Sequence, residues 1–236
     1  MIVVDADDTL WSTEQLYRSA RDRAARHVES MALDPVEWTA VQERIDLELV
    51  ESLGLSRERF PTACVRALEA VAELHGVEPR PEDLAVVREE ACSVFRTPAT
   101  LVDGVHGLVE RLARIAPLVL LTSGDPGVQT ARVAESGLEV FFADIVIVPR
   151  KTDDTFGELL GRHAASPRAS WSVGNSLPSD INPALRSGMS AIWIPALVWS
   201  HELRETSPAP GRLFTLPTLA EAVALLESEC GPGADS

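Results

Sequence analysis

Lysine is all but absent from this chain: of 21 basic residues, twenty are arginine and one, Lys151, is lysine. A genomic leaning toward arginine codons explains the trend but not the exception. A compact ammonium and a planar guanidinium are not interchangeable at a reactive site, so the surviving lysine is a candidate functional residue. Cysteine is scarce as well. Cys64, Cys92 and Cys230 are odd in number and far apart, with no metal-binding spacing, as expected of reduced thiols in a cytoplasmic protein. Positive charge is outweighed: the net charge is −15 and the isoelectric point about 4.7, which argues against a nucleic-acid binder with a basic face. No apolar run approaches the roughly 20 residues needed to cross a bilayer. Asp5 cuts the first apolar stretch after Ile2-Val3-Val4, so the beginning of the chain does not read as a secretory signal. The five histidines (His27, His75, His106, His163 and His201) are scattered without ligand spacing.

What is present begins at that same Asp5. A β-branched run followed at once by Asp5-Ala6-Asp7-Asp8-Thr9 reads as a buried strand whose carboxyl end projects acids into a crevice, and that end is where open α/β sheets bind ligands. Residues i and i+2 share one side of a strand but diverge as the chain leaves the sheet. Asp5 and Asp7 can therefore address one substrate from two directions, one attacking and the other handling a proton.

The chain has 236 residues, 45% of them hydrophobic, enough for one domain with a large insertion or for two small ones. From Ser12, spaced from Gln15 as in a capping box, to about Phe95 the pattern is helical throughout. Pro35 opens a second helix that Gly54 ends, a third runs from about Ser56 to Leu74, and a fourth starts near Pro81. The segment Thr97–Gly104 reads as a return linker. Beyond it, strand candidates Leu118–Thr122, Ile145–Val148, Ser170–Val173 and Ala191–Ile194 alternate with helices near residues 105–115, 127–136, 154–163 and 179–187. Such alternation predicts a parallel sheet with helices on its faces, an α/β Rossmann-like core. The expected division is a core of residues 1–11 and 97–230, an inserted helical domain of residues 12–96, and a disordered tail of residues 231–236.

Each strand of the alternating part ends in polar residues: Asp5 and Asp7, then Thr122-Ser123-Gly124-Asp125, then Lys151, then Gly174-Asn175-Ser176 with Ser179-Asp180. Any one of these is a common cap; Asp180 could simply cap the helix before Ile181. Four together are not so easily explained. With these motifs the chain resembles the haloacid dehalogenase superfamily of hydrolases with a C1-type helical cap, phosphatase-like in its motifs.

The resemblance implies a chemistry. Asp5 is the expected nucleophile, forming an aspartyl-phosphate, and Asp7 the acid and then the base. Thr122 and the Ser123 amide, with Gly124, are expected to hold phosphoryl oxygens and Lys151 to balance charge; Trp11, just after the nucleophile motif, reads equally as a substrate contact or as a residue packed against the cap. It also implies Mg2+, held by Asp5, the Asp7 carbonyl, Asn175 and Asp180. Asn175 departs from the family, which usually has aspartate there; an amide oxygen can still ligate but removes a charge, so weaker Mg2+ binding is expected. Asp7 argues against a dehalogenase, which lacks the second acid. The absence of lysine from residues 12–96 argues against a phosphonatase, which forms a Schiff base there. A phosphomutase keeps the same motifs, and a non-catalytic binding protein is the alternative from another class. The implied partner is a small phosphorylated metabolite of unspecified identity, not a nucleic acid or a membrane.

Overall fold

The computed structural model describes residues 1–196 and 212–230; the expected disordered tail and His201 lie outside that set. The chain falls into two compact units, residues 1–12 with 100–236 and residues 13–99.

The first unit carries β1 (Ile2–Val4), β2 (Trp11–Ser12), β3 (Thr100–Leu101), α5 (Val105–Ile115), β4 (Leu118–Ser123), α6 (Pro126–Ser136), β5 (Asp144–Val148), α7 (Asp153–Arg162), β6 (Trp171–Gly174), α8 (Asn182–Arg186), β7 (Ser190–Trp193), β8 (Leu213–Thr215) and α9 (Leu219–Cys230). Six strands form one parallel sheet in the order β5-β4-β1-β6-β7-β8. β1 is central and wholly buried, as its unbroken β-branched sequence requires of a strand covered on both faces. After β1 the chain builds outward through β4 to β5, then crosses back to place β6 on the other side of β1. The strand order reverses between β1 and β6, which opens a crevice at their carboxyl ends. Val3, Val119 and Leu121 meet Phe156, Leu159 and Leu160 of α7 in one core cluster.

The second unit is helical: α1 (Glu14–Ser30), α2 (Pro35–Leu53), α3 (Arg59–Leu74) and α4 (Pro81–Cys92). Asp34 caps α2 by accepting from the Val36 amide, and Gly54 ends it at φ 58°, the left-handed turn that glycine takes without strain. The interior holds Trp38, Phe60, Leu68 and Val71, with the Tyr17 and Phe60 rings edge to face at 5.0 Å.

Two local expectations change. Ser12 does not cap α1: Thr13 stands at the cap position, while Ser12 pairs antiparallel with Thr100 in the two-residue ladder β2–β3. A backbone held extended by a ladder cannot also turn into a helix. The return linker contains the other half of that ladder. The helix expected near residues 179–187 is also divided, into a π-helical turn at Leu177–Ile181 and the short α8. Wide turns of this kind are frequent at functional sites.

Candidate active site

β1 ends at Val4, and the Asp5 amide donates to the Val173 carbonyl of β6 at 2.9 Å, so Asp5 leaves the sheet at the reversal point. Asp5 is 7% exposed. One carboxylate oxygen accepts the Thr9 hydroxyl at 2.9 Å and the other accepts Lys151 Nζ. Lys151 also donates to Asp180 Oδ1 at 2.6 Å, so a single buried ammonium links the ends of β1 and β5 to the turn after β6. Burial first, and the neighbouring Asp180 charge second, push the Asp5 carboxyl up to about 8, while Lys151 pulls the other way. Burial also works against the Lys151 charge, but the two carboxylates outweigh it and hold the ammonium above its usual range.

Asp180 is seated by an absence. A Cβ on Gly174 would stand 2.4 Å from Asp180 Oδ2, so only glycine lets the carboxylate lie against this strand end. There Oδ2 accepts the Ser176 amide at 2.9 Å, and the Asp180 carbonyl accepts the Ser172 hydroxyl at 2.9 Å. Both carboxylate oxygens thus have a partner, and Asp180 anchors Lys151.

Asp7 lies on the turn that follows β1, where Asp8 adopts φ 58°. The hydrogen bonds of that turn converge on the Ala6 carbonyl, which receives the amides of Thr9, Leu10 and Trp11. The Asp7 carboxylate takes the Trp11 indole N–H on Oδ1 at 2.7 Å and Gln129 Nε2 on Oδ2 at 2.8 Å. Arg132 Nη1 lies 3.4 Å from both oxygens. Trp11 is 1% exposed. It binds Asp7 from within the fold, which favours the packing reading of this residue over substrate contact.

Thr122 ends the buried run of β4, and its hydroxyl is buried without a hydrogen-bond partner among the described residues. A buried polar atom left unsatisfied is costly, and a phosphoryl oxygen would satisfy this one. Ser123 follows it, half-buried. Gly124 is a correction: its amide donates to the Val148 carbonyl at 3.1 Å, so it offers no free donor, and its φ of 138° is the reason for glycine there. Asp125 then caps α6 by accepting from the Gly127 and Val128 amides.

Gln129 and Arg132 escaped sequence reasoning. The buried residues of α6 are Gln129, Arg132, Val133 and Ser136, so two polar side chains occupy a core-facing stripe at helical spacing. That intrusion, directly after a polar strand end, was the available signal.

The oxygen donors suit a small hard cation that keeps waters or phosphate oxygens as its other ligands. They are the Asp5 and Asp180 carboxylates, the Asp7 main-chain carbonyl and the Asn175 side-chain oxygen. Asn175 itself is 9% exposed, and its main-chain carbonyl is taken by the Trp193 indole at 2.8 Å. With Asp5 ionised, it and Asp180 carry one negative charge more than Lys151 offsets, so a cation bound beside them would favour the ionised form of Asp5. Among the described residues no three His, Cys, Asp or Glu side chains gather into an all-side-chain cage.

A family model for haloacid dehalogenase-like hydrolases matches residues 1–169. The chain is 25% identical over 201 residues to a glyceraldehyde 3-phosphate phosphatase of Methanopyrus kandleri, covering 82% of each protein. It is 33% identical over 98 residues to the pyrimidine 5'-nucleotidase PynA of Streptococcus pneumoniae, spanning 39% of this chain and 41% of that protein. Among solved structures, a haloacid dehalogenase-like family hydrolase from Xanthomonas campestris superposes with a TM-score of 0.77 at 24% identity, covering 98% of this chain and 96% of that one. At that identity the likeness speaks for the fold.

Proposed function

The chain belongs to the haloacid dehalogenase-like hydrolase family, and from that premise we propose that it is a Mg2+-dependent phosphatase acting on a small phosphomonoester. Asp5 attacks phosphorus, so that an Asp5–phosphorus bond forms as the bond to the leaving oxygen breaks. Asp7 gives that oxygen its proton, then takes a proton from the water that cleaves the aspartyl-phosphate. The Thr122 hydroxyl and the Ser123 amide donate to phosphoryl oxygens. The Lys151 ammonium offsets the charge gathering between Asp5 and the phosphoryl group. Asp5, the Asp7 carbonyl, Asn175 and Asp180 would hold Mg2+, which would supply the positive charge that lets an anionic nucleophile meet an anionic ester. The helical unit takes the part of a C1-type cap, and the free thiols support a cytoplasmic setting.

The observation that carries this reading is the buried Lys151 bound at once to Asp5 and Asp180. A lysine so placed brings positive charge to a nucleophile that burial would otherwise neutralise. The two phosphatase relatives support phosphorus over carbon as the point of attack, as does the second acid, Asp7. The test is hydrolysis of p-nitrophenyl phosphate and a panel of sugar and nucleoside monophosphates, with Mg2+ and with a chelator. Turnover that needs the metal and disappears in Asp5→Asn supports the reading. Inactivity of folded protein across the whole panel would sink it.

A further inference from the structure

The geometry points to Gln129 and Arg132 as positioning residues for Asp7, a pair that aims its carboxylate and couples proton transfer to the phosphoryl-binding strand end. The inference rests on the phosphatase reading, in which Asp7 is the acid and base.

Asp7 needs such help. Its side chain is 28% exposed and stands on a turn, where an aspartate is free to exchange among staggered rotamers. Proton transfer requires the carboxyl within hydrogen-bond reach of the leaving oxygen, so an unheld Asp7 would be misdirected much of the time.

The orientation of Gln129 is settled by its surroundings. Nε2 meets two acceptors, Asp7 Oδ2 at 2.8 Å and the Ser123 carbonyl at 3.2 Å. Turning the amide over would set its oxygen against both. One NH2 group therefore ties the acid/base to the main chain beside Thr122, and a shift of either is felt by the other. Arg132 straddles the carboxylate through Nη1, while the Trp11 indole closes the remaining side. The short bonds from Trp11 and Gln129 fix direction. The two 3.4 Å approaches of Arg132 place a guanidinium beside both carboxylate oxygens.

Packing alone does not account for these residues. Gln129 is 3% and Arg132 7% exposed, and Gln129 Oε1 and Arg132 Nη2 are buried without a hydrogen-bond partner among the described residues. An apolar pair would fill a helix stripe without that desolvation penalty. Local rules broken at a cost in stability are characteristic of functional positions.

In the step proposed, the proton on Asp7 passes to the leaving oxygen as that oxygen's bond to phosphorus breaks, and Asp7 is left as a carboxylate facing Arg132. The demand on this step depends on the leaving group: p-nitrophenolate departs without a proton, whereas an alkoxide does not.

The test compares p-nitrophenyl, phenyl and benzyl phosphate as substrates of the wild type, Asp7→Asn, Gln129→Leu, Arg132→Met and Arg132→Lys, with thermal melts alongside. In Gln129→Leu and Arg132→Met, kcat/KM, which reports departure of the leaving group and not the shared hydrolysis of the aspartyl-phosphate, should fall at least about tenfold more on benzyl than on p-nitrophenyl phosphate. Asp7→Asn should show the same pattern more strongly, and Arg132→Lys should recover part of the loss. Should Arg132→Met not fold, Gln129→Leu and Arg132→Lys decide the matter. An active wild type whose variants lose equally on all three esters, or lose nothing, overturns the positioning role and leaves the phosphatase reading standing. A wild type that hydrolyses none of the three counts against both.

Discussion

Gly174 and Asp180 are fitted to each other: the bare Cα of one is what lets the carboxylate of the other reach Lys151. The added Cβ of alanine would stand 2.4 Å from Asp180 Oδ2, 2.5 Å from its Cγ and 2.6 Å from its Cβ. Such an overlap cannot be relieved by moving a flexible side-chain tip. Gly174→Ala is therefore expected to lower stability by about 1–3 kcal/mol, the usual cost of overpacking. At about 2–4 °C per kcal/mol for a domain of this size, the fall is visible in a thermal melt. Turnover should fall further than stability, since a displaced Asp180 no longer holds Lys151. Full activity in this variant would mean that the anchor is dispensable.

Lys151→Met removes the one cation between two buried carboxylates. Breaking a buried pair in this way typically costs about 3–5 kcal/mol. Melts of Lys151→Met at neutral pH, without added metal, should show that loss against the wild type. A variant as stable as the wild type would contradict the pairing.

Asp5 gives a prediction of the opposite sign. Burial and Asp180 raise its carboxyl to about 8, so the folded chain keeps a proton that the unfolded chain sheds near pH 4. Between those values stability falls with rising pH. Asp5→Asn removes that dependence. The metal-free variant should melt no lower than the wild type near pH 8, and its stability should vary less between pH 4 and pH 8, although turnover is lost. Such a gain is expected where a site is kept for function at a cost to stability. A variant clearly less stable at pH 8 would refute it.

Asp83 works the other way, within the helical unit. The Arg80 guanidinium, the Arg80 amide and His27 all bind its carboxylate, and it is held down to about 2, chiefly by the Arg80 side chain. A lowered carboxyl contributes stability that is present above about pH 4 and lost as pH falls toward 2. Asp83→Asn should melt lower than the wild type at pH 6, and the gap should close on acidification. A gap independent of pH would point to packing instead.

Much of the site was legible because strand ends announce themselves. Val4-Asp5 and Val173-Gly174 each pass from a buried strand to a polar turn, and Lys151 stood out as the single lysine. The order of the alternating elements likewise implied the parallel sheet. What escaped notice depends on contacts remote in sequence. Gln129 reaches Asp7 across 122 positions, and only the folded chain shows which acceptor its amide faces. Trp11 read equally well as a substrate contact or as a packing residue until its indole was seen on Asp7. The Gly124 amide looked available because its partner, the Val148 carbonyl, is set by the sheet register. A two-residue ladder such as β2–β3 is too short for a periodic signal, so Ser12 read as a cap.

If an Asp5 oxygen bonds to phosphorus, rapid acid quench during turnover of p-nitrophenyl phosphate traps the aspartyl-phosphate. Mass spectrometry of the quenched protein should find one phosphoryl group, on the peptide containing Asp5. In Asp5→Asn that adduct should be missing and kcat reduced by at least about a thousandfold, as for the loss of other nucleophiles. Turnover persisting in Asp5→Asn, or a phosphoryl group mapped to another residue, would contradict the assignment.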